Sequence, residues 1–178
     1  MKKPIYNIVL GDSEGVLKMS LVANPAIEEN FLAFSEDIKF SVNEEQRIVF
    51  GPSLRADYPI YRYDSKRGEY YVVFNKETID KLYQKFMSDN RTHAVNLEHN
   101  TDVTGVYMIQ SFIKDTDKGI DPKGFESVSN GSWFTAYKVE NDKVWESIKS
   151  GEFKGFSVEG LFELEEYDEL DELIDEIL

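Results

Sequence analysis

Residues 151–162 read GEFKGFSVEGLF, and this stretch predicts a turn followed by a strand. The period-two alternation puts three apolar side chains on one face of that strand and Ser157 and Glu159 on the other. Gly155 and Gly160 flank the serine and leave room for another chain to approach. We therefore expect an exposed strand serine that a substrate backbone can reach. An ordinary solvated serine is the alternative, because no G-x-S-x-G nucleophile motif is present.

A hydrolytic serine needs a base, and histidine is the usual one because its unperturbed pKa lies near neutrality. The chain has two histidines and no cysteine. His99 follows an apolar alternation at Val95 and Leu97, which predicts that it ends a strand over residues 93–99. Ser157 and His99 are thus the candidate reactive pair, with a structural histidine as the alternative.

Length and composition indicate one globular domain. The chain has 178 residues, of which 41% are hydrophobic and 13% aromatic. No segment approaches the roughly 20 apolar residues of a membrane helix, so no membrane partner is expected. Without cysteine, disulfides and zinc–cysteine sites are excluded. No cofactor and no metal is expected.

The net charge of −14 is concentrated at the C-terminus. Residues 163–178 hold nine acidic residues and no basic one, whereas the rest of the chain carries 20 basic and 25 acidic residues. Phosphate binding needs clustered Lys and Arg. The sequence therefore predicts no nucleic-acid partner.

Short apolar runs dominate the body of the chain. Asn75 and Asn141 each predict the start of a helix, and Gly151 the end of the second one. No βαβ alternation is present, which favours an antiparallel barrel or two packed sheets carrying helices. Besides the Ser157 strand, the predicted strands and apolar runs cover residues 5–10, 16–22, 31–35, 38–42, 47–54, 58–63, 69–74, 93–99, 103–113 and 132–139.

The C-terminal residues alternate apolar and acidic side chains at helical spacing. We expect a domain over residues 1–163 and an acidic amphipathic helix over residues 164–178. That helix either docks on the domain or binds a partner as a detachable segment.

Four segments carry a family resemblance: residues 20–35, 96–113, 131–139 and 144–162. Together they resemble the XkdF-type phage serine proteases, which are grouped with the prohead (capsid maturation) proteases and are similar in fold to herpesvirus assemblin. The resemblance covers most of residues 15–163. It implies an α+β, mainly β fold: a closed or partly open antiparallel barrel of orthogonally packed strands with peripheral helices. It also implies Ser157 as nucleophile and His99 as base.

The third member of a triad is open at this stage. Glu159 shares a strand face with Ser157 and is the first choice for the carboxylate that orients the imidazole. Glu98 is adjacent to His99 but points the other way in a strand. Asp102 and Glu163 are further candidates.

The resemblance further implies a serine endopeptidase that processes scaffold protein and major capsid protein extensions. Its expected location is the host cytoplasm, inside the immature phage procapsid, and a homo-oligomer is compatible with it. Three other readings are an inactive protease-fold scaffolding protein of the capsid, an esterase, and a metal hydrolase using His93, His99 and Glu98.

Some phage maturation proteases that resemble this chain cut after a glutamate two residues beyond Leu or Ile. Self-cleavage in the tail is therefore a hypothesis. The pattern occurs at residues 161–163, 164–166, 170–172 and 174–176.

Overall fold

The computed structural model describes residues 3–11, 15–24, 41–43 and 46–166. Within these residues the chain forms twelve strands and two α-helices. Two short 3-10 helices cover Arg91–His93 and Thr116–Lys118. The elements are β1 (Ile5–Val9), β2 (Gly15–Val22), β3 (Ser41–Asn43), β4 (Ile48–Leu54), β5 (Ile60–Asp64), β6 (Gly68–Val73), α1 (Lys76–Ser88), β7 (Val95–Leu97), β8 (Thr101–Asp102), β9 (Val106–Ile113), β10 (Trp133–Val139), α2 (Asp142–Lys149), β11 (Gly155–Leu161) and β12 (Glu163–Glu166).

The strands form three four-stranded sheets. Their orders are β12-β1-β6-β5, β3-β4-β10-β9 and β11-β2-β7-β8. We call the last one the Ser157 sheet. Most pairs are antiparallel, but β1 with β6 and β2 with β7 are parallel.

The α+β, mainly β class is confirmed, whereas the antiparallel barrel is corrected. None of the three sheets closes on itself within the described residues. The two parallel pairs explain the difference, because each joins strands that are far apart in sequence and need a long crossover between them. Local alternation specifies which residues form strands but not these pairings.

One core joins the three sheets and the helices. It includes Ile8 of β1, Met19 of β2, Phe86 of α1 and Trp133 and Tyr137 of β10, all almost fully buried. These large side chains belong to one cluster that connects the sheets and the helices.

Both predicted helix caps are confirmed. The Asn75 side chain accepts a hydrogen bond from the Thr78 N–H, and the Asn141 side chain accepts one from the Val144 N–H. Gly151, at φ 78°, follows α2 as the predicted stop, because glycine enters the left-handed region without a side-chain penalty. Among the described residues, no helix combines the length and apolar character needed to cross a membrane.

The predicted strand boundaries differ in places from the observed ones. Strand β4 (Ile48–Leu54) covers almost all of the predicted run over residues 47–54, and its pairing with β10 shifts register beside Pro52, where a missing N–H is tolerated. The strand predicted over residues 103–113 begins at Val106. The predicted runs at residues 31–35 and 38–40 lie outside the described residues.

The chain after β11 does not become helical at Leu164. Glu163–Glu166 instead form β12, which pairs antiparallel with β1. Residues 167–178 lie outside the described residues, so the acidic helix stays a prediction there. The Leu-x-Glu pattern at residues 164–166 therefore lies in a paired strand.

Candidate active site

A row of polar side chains crosses the Ser157 sheet. Ser157 of β11 lies opposite Ser20 of β2, and Ser20 lies beside Asn96 of β7. Residues in register on neighbouring strands point to the same face, so these three side chains share one surface. Glu159, two residues beyond Ser157, shares it as well.

His99 reaches this surface from a tight turn after β7. The Asn100 N–H donates to the Leu97 carbonyl at 3.0 Å, and the two central residues, Glu98 and His99, have φ values of 51° and 56°. This is the left-handed region that Asn and Gly favour in such turns, and other residues there are strained. The Glu98 carboxylate accepts a hydrogen bond from the Ala23 N–H at 2.5 Å and so ties the turn to the end of β2. The predicted strand over residues 93–99 is therefore limited to Val95–Leu97.

The turn brings the candidate reactive pair together. The distance from His99 Nε2 to Ser157 Oγ is 3.0 Å, within the range expected for a nucleophile and its base. The serine is not exposed as predicted, because its residue is only 5% accessible. The His99 side chain remains 40% accessible.

The side chain that directly contacts the far nitrogen of His99 is a serine. Ser20 Oγ lies 2.8 Å from His99 Nδ1, whereas Glu159 Oε2 lies 3.7 Å from the same nitrogen. Glu159 instead accepts a hydrogen bond from Asn96 Nδ2 at 2.6 Å. Glu159 is therefore close enough to attract a protonated imidazole, but Ser20 and Asn96 fill the hydrogen-bonding positions between them.

The other candidate carboxylates are engaged elsewhere or lie on another strand. Asp102 pairs with Lys18 at 2.5 Å, and this hydrogen bond raises the pKa of the lysine. The Glu98 carboxylate accepts a hydrogen bond from the Ala23 N–H after β2. Glu163 belongs to β12 and borders the cavity described next.

A cavity of about 1050 Å³ opens beside Ser157 and His99. Residues 157–164 line it consecutively, together with Tyr70 and Val72 of β6. Arg62 and Arg67 also border it. The volume is that of an ordinary ligand pocket, so a substrate segment can reach the serine from this side.

The arrangement contains a hydroxyl and imidazole pair of the kind that acyl transfer uses. The Ser157 hydroxyl lies within hydrogen-bonding distance of the His99 imidazole, and the imidazole contacts a further hydroxyl and lies near a carboxylate. Within the described residues, no group of three or more His, Asp or Glu side chains is placed to hold a metal ion. His93, which the metal-hydrolase reading requires, stacks on the Tyr107 ring with centroids 5.5 Å apart.

The sequence of the chain matches a known protein family over most of its length. The model of the family described as "Putative phage serine protease XkdF" matches residues 37–166. The chain belongs to this family. The match spans β3 to β12 and includes both His99 and Ser157.

A relative of the XkdF family is the phage-like element PBSX protein XkdF of Bacillus subtilis (strain 168), which is 25% identical over 136 residues. The alignment covers 76% of this chain and 43% of the relative, so the chain spans less than half the length of that protein. No solved structure matches the chain. The XkdF family is thus established, whereas the fold likeness to assemblin stays a prediction.

Two site residues, Ser20 and Asn96, were missed by the sequence reasoning. Both interrupt apolar strands: Ser20 lies between Met19 and Leu21, and Asn96 between Val95 and Leu97. A small polar residue in the middle of a buried strand needs a hydrogen-bond partner. That requirement was the available signal, and it could have marked both positions as parts of one polar network.

Proposed function

We propose that this chain is a serine endopeptidase that processes scaffold protein and major capsid protein extensions inside the immature phage procapsid. The observation that carries the proposal is the 3.0 Å contact between His99 Nε2 and Ser157 Oγ in a cavity large enough for a peptide segment. Membership of the XkdF family, whose description names a phage serine protease, supports the same reaction class.

The reaction follows from the two contacts of His99. Ser157 Oγ attacks the peptide carbonyl carbon while its proton passes to His99 Nε2. The imidazolium that forms lies 3.7 Å from Glu159 Oε2, and this negative charge stabilises it. His99 then gives the proton to the leaving amine, the peptide C–N bond breaks, and an acyl ester remains on Ser157. Water, deprotonated by His99, hydrolyses the ester and regenerates the serine.

The position of β11 favours a peptide over a small ester. Among the described strands, β11 pairs only with β2. Met19 and Leu21 direct main-chain hydrogen bonds to the β7 side, so the main chain of Ser20 faces Ser157. By alternation, the main chain of Val158 faces the other edge of β11, and Val158 borders the cavity. An extended peptide can pair with that edge and bring a carbonyl to the neighbouring serine.

The assignment of substrates and place rests on the family. Scaffold and major capsid protein are the proposed substrates, the host cytoplasm within the procapsid is the proposed location, and self-trimming in residues 167–178 is a further part of the proposal. Cutting after Glu166 would act on β12, which must first separate from β1. We therefore place self-trimming at residues 170–172 or 174–176 rather than at residues 164–166.

Co-expression tests the proposal. The chain is produced together with the scaffold and major capsid proteins of the same phage, as wild type, Ser157→Ala or Ser53→Ala, and the products are measured by intact mass. Ser53 is a matched control, since it is also a buried strand serine but bonds to Thr135 at 2.6 Å outside the site. Wild type and Ser53→Ala should yield the same shortened products, and Ser157→Ala none.

Identical products from Ser157→Ala would contradict the proposal. Intact substrates with folded wild type would favour the inactive scaffolding protein, and hydrolysis of small esters alone would favour the esterase.

A further inference from the structure

The groups between His99 and Glu159 form a continuous hydrogen-bonded chain. His99 Nδ1 lies 2.8 Å from Ser20 Oγ, and Ser20 Oγ lies 2.5 Å from Asn96 Oδ1. Asn96 Nδ2 lies 2.6 Å from Glu159 Oε2. Ser20 and Asn96 are 0% and 2% accessible, so the side chains of these two residues are shielded from competing water.

The donor and acceptor of every hydrogen bond between His99 and Glu159 follow from the carboxylate of Glu159 at one end. An ionised carboxylate only accepts, so the amide of Asn96 must present its NH₂ group to Glu159. The Asn96 carbonyl oxygen then faces Ser20 and can only accept, so the hydroxyl proton of Ser20 is used there. Ser20 Oγ therefore has no proton left for His99 and must accept one from Nδ1–H.

This direction selects one form of the neutral imidazole. With the proton on Nδ1, the lone pair is on Nε2, where it accepts the hydroxyl proton of Ser157 at 3.0 Å. The opposite tautomer would place an N–H against Ser157 and remove its acceptor. A reversed series of hydrogen bonds would produce that tautomer, and the negative charge of Glu159 disfavours the reversal because a carboxylate has no proton to donate to Asn96.

We propose that Ser20 and Asn96 are positioning residues that transmit the acceptor character of Glu159 to His99 and thereby hold the imidazole in the tautomer that activates Ser157. The inference rests on the proposed function for its purpose, but the hydrogen-bond direction is a property of the resting protein. Glu159 then acts on His99 through Ser20 and Asn96, because its carboxylate lies beyond hydrogen-bonding distance of the imidazole ring.

Nitrogen NMR of histidine-labelled protein tests the inference without any substrate. The chain has only two histidines, so His93→Gln assigns the His99 signals. At a pH where His99 is neutral, we expect wild type to show a protonated, pyrrole-type Nδ1 and an unprotonated, pyridine-type Nε2. Ser20→Ala should remove this bias and shift the population toward the Nε2–H form.

Glu159→Gln provides a second variant that keeps the shape of the side chain at a partly exposed position. Its amide can donate as well as accept, so Asn96 and Ser20 can reverse and both tautomers should appear. Glu165→Gln is the matched control, because it makes the same chemical change on exposed β12 and should leave the His99 spectrum unchanged. A wild-type spectrum with the proton on Nε2, or a Glu159→Gln spectrum identical to wild type, would overturn the inference.

A parallel measurement of Ser157 reactivity separates the two proposals. A complete switch of tautomer costs about 10⁴-fold in rate in triad hydrolases, so the rate of phosphonate labelling of Ser157 should fall in proportion to the fraction of His99 that the spectrum shows to have lost the Nδ1–H form. The expected tautomer shifts together with an inert Ser157 in wild type would contradict the protease proposal only. If Ser157 is reactive in wild type, but neither its labelling rate nor the His99 spectrum changes in Ser20→Ala and Glu159→Gln, only the positioning role is contradicted.

Discussion

Gly160→Ala should inactivate the protein by moving the strand that carries Ser157. Gly160 lies where the pairing of β11 with β2 shifts register. A Cβ added there would lie 2.4 Å from the Gly15 carbonyl oxygen and 2.6 Å from Phe162 Cζ. The phenyl ring can move, but the carbonyl belongs to the partner strand, so β11 and β2 must separate.

The size of the effect follows from these distances. Ordinary contact with a Cβ begins near 3.4 Å, so the two strands must part by about 1 Å. Both strands carry site residues, Ser157 on one and Ser20 on the other. A displacement of about 1 Å can cost about 10²-fold in rate. Forcing a methyl group into a packed site costs about 1–3 kcal/mol, which for a chain of this length lowers the melting temperature by about 2–4 °C per kcal/mol.

The assay measures the rate at which a fluorophosphonate labels Ser157, together with thermal unfolding by circular dichroism. Gly151→Ala is the control, because Gly151 has φ 78° and nothing within 4 Å of an added Cβ. That variant should lose about 1 kcal/mol of stability through backbone strain and keep the wild-type labelling rate. If Gly160→Ala labels as fast as wild type and melts at the same temperature, the coupling of the bulge to the site is refuted.

Three further predictions concern stability, each measured by urea unfolding. The Tyr137 hydroxyl is buried without a hydrogen-bond partner among the described residues, and burial raises its pKa, so Tyr137→Phe should stabilise the protein by about 1 kcal/mol; a loss of stability would contradict this. Several hydrogen bonds lower the pKa of Asp64 from 3.8 to about 2, and the one from the backbone N–H of Arg67 contributes most. Ionised Asp64 therefore stabilises the fold above about pH 4 and loses this effect as the pH falls toward 2, so Asp64→Asn should weaken the fold at pH 7 and flatten its acid transition; an unchanged pH profile would contradict this. Lys114, 2% accessible, donates to the Phe125 carbonyl at 2.9 Å, so Lys114→Met should destabilise the protein by about 2 kcal/mol, and a neutral result would contradict the pairing.

The elements that could be predicted from the sequence are those that a short stretch of residues specifies by itself. The α1 helix follows from the capping Asn75, and β5 and β6 lie within two residues of the predicted runs at 58–63 and 69–74. The Ser157 strand and the proximity of Ser157 to His99 were also predictable, since the chain has only two histidines, whereas the reactivity of the pair stays a prediction. Each of these inferences uses a periodicity or a residue type that can be read within a few positions.

The remainder depends on contacts between distant segments. The parallel pairing of β2 with β7 brings Ser20 beside Asn96, which is 76 residues further along the chain, and no local pattern specifies it. The turn at Glu98 and His99 also contradicts local preference, because neither residue favours a positive φ. A strand prediction through His99 was the natural reading, and it was wrong where the backbone turns the imidazole onto the sheet. Departures of this kind concentrate at functional sites, where tertiary contacts hold a strained conformation in place.

Site-resolved phosphonate labelling measures whether His99 activates Ser157 as a nucleophile. Wild type, His99→Ala and His93→Ala are incubated with a fluorophosphonate, digested and analysed by mass spectrometry. We predict a single modified serine, Ser157, in wild type and in His93→Ala, and a loss of most labelling in His99→Ala while the fold is retained. Folded wild type that carries no label on Ser157, or His99→Ala that labels at the wild-type rate, would contradict it.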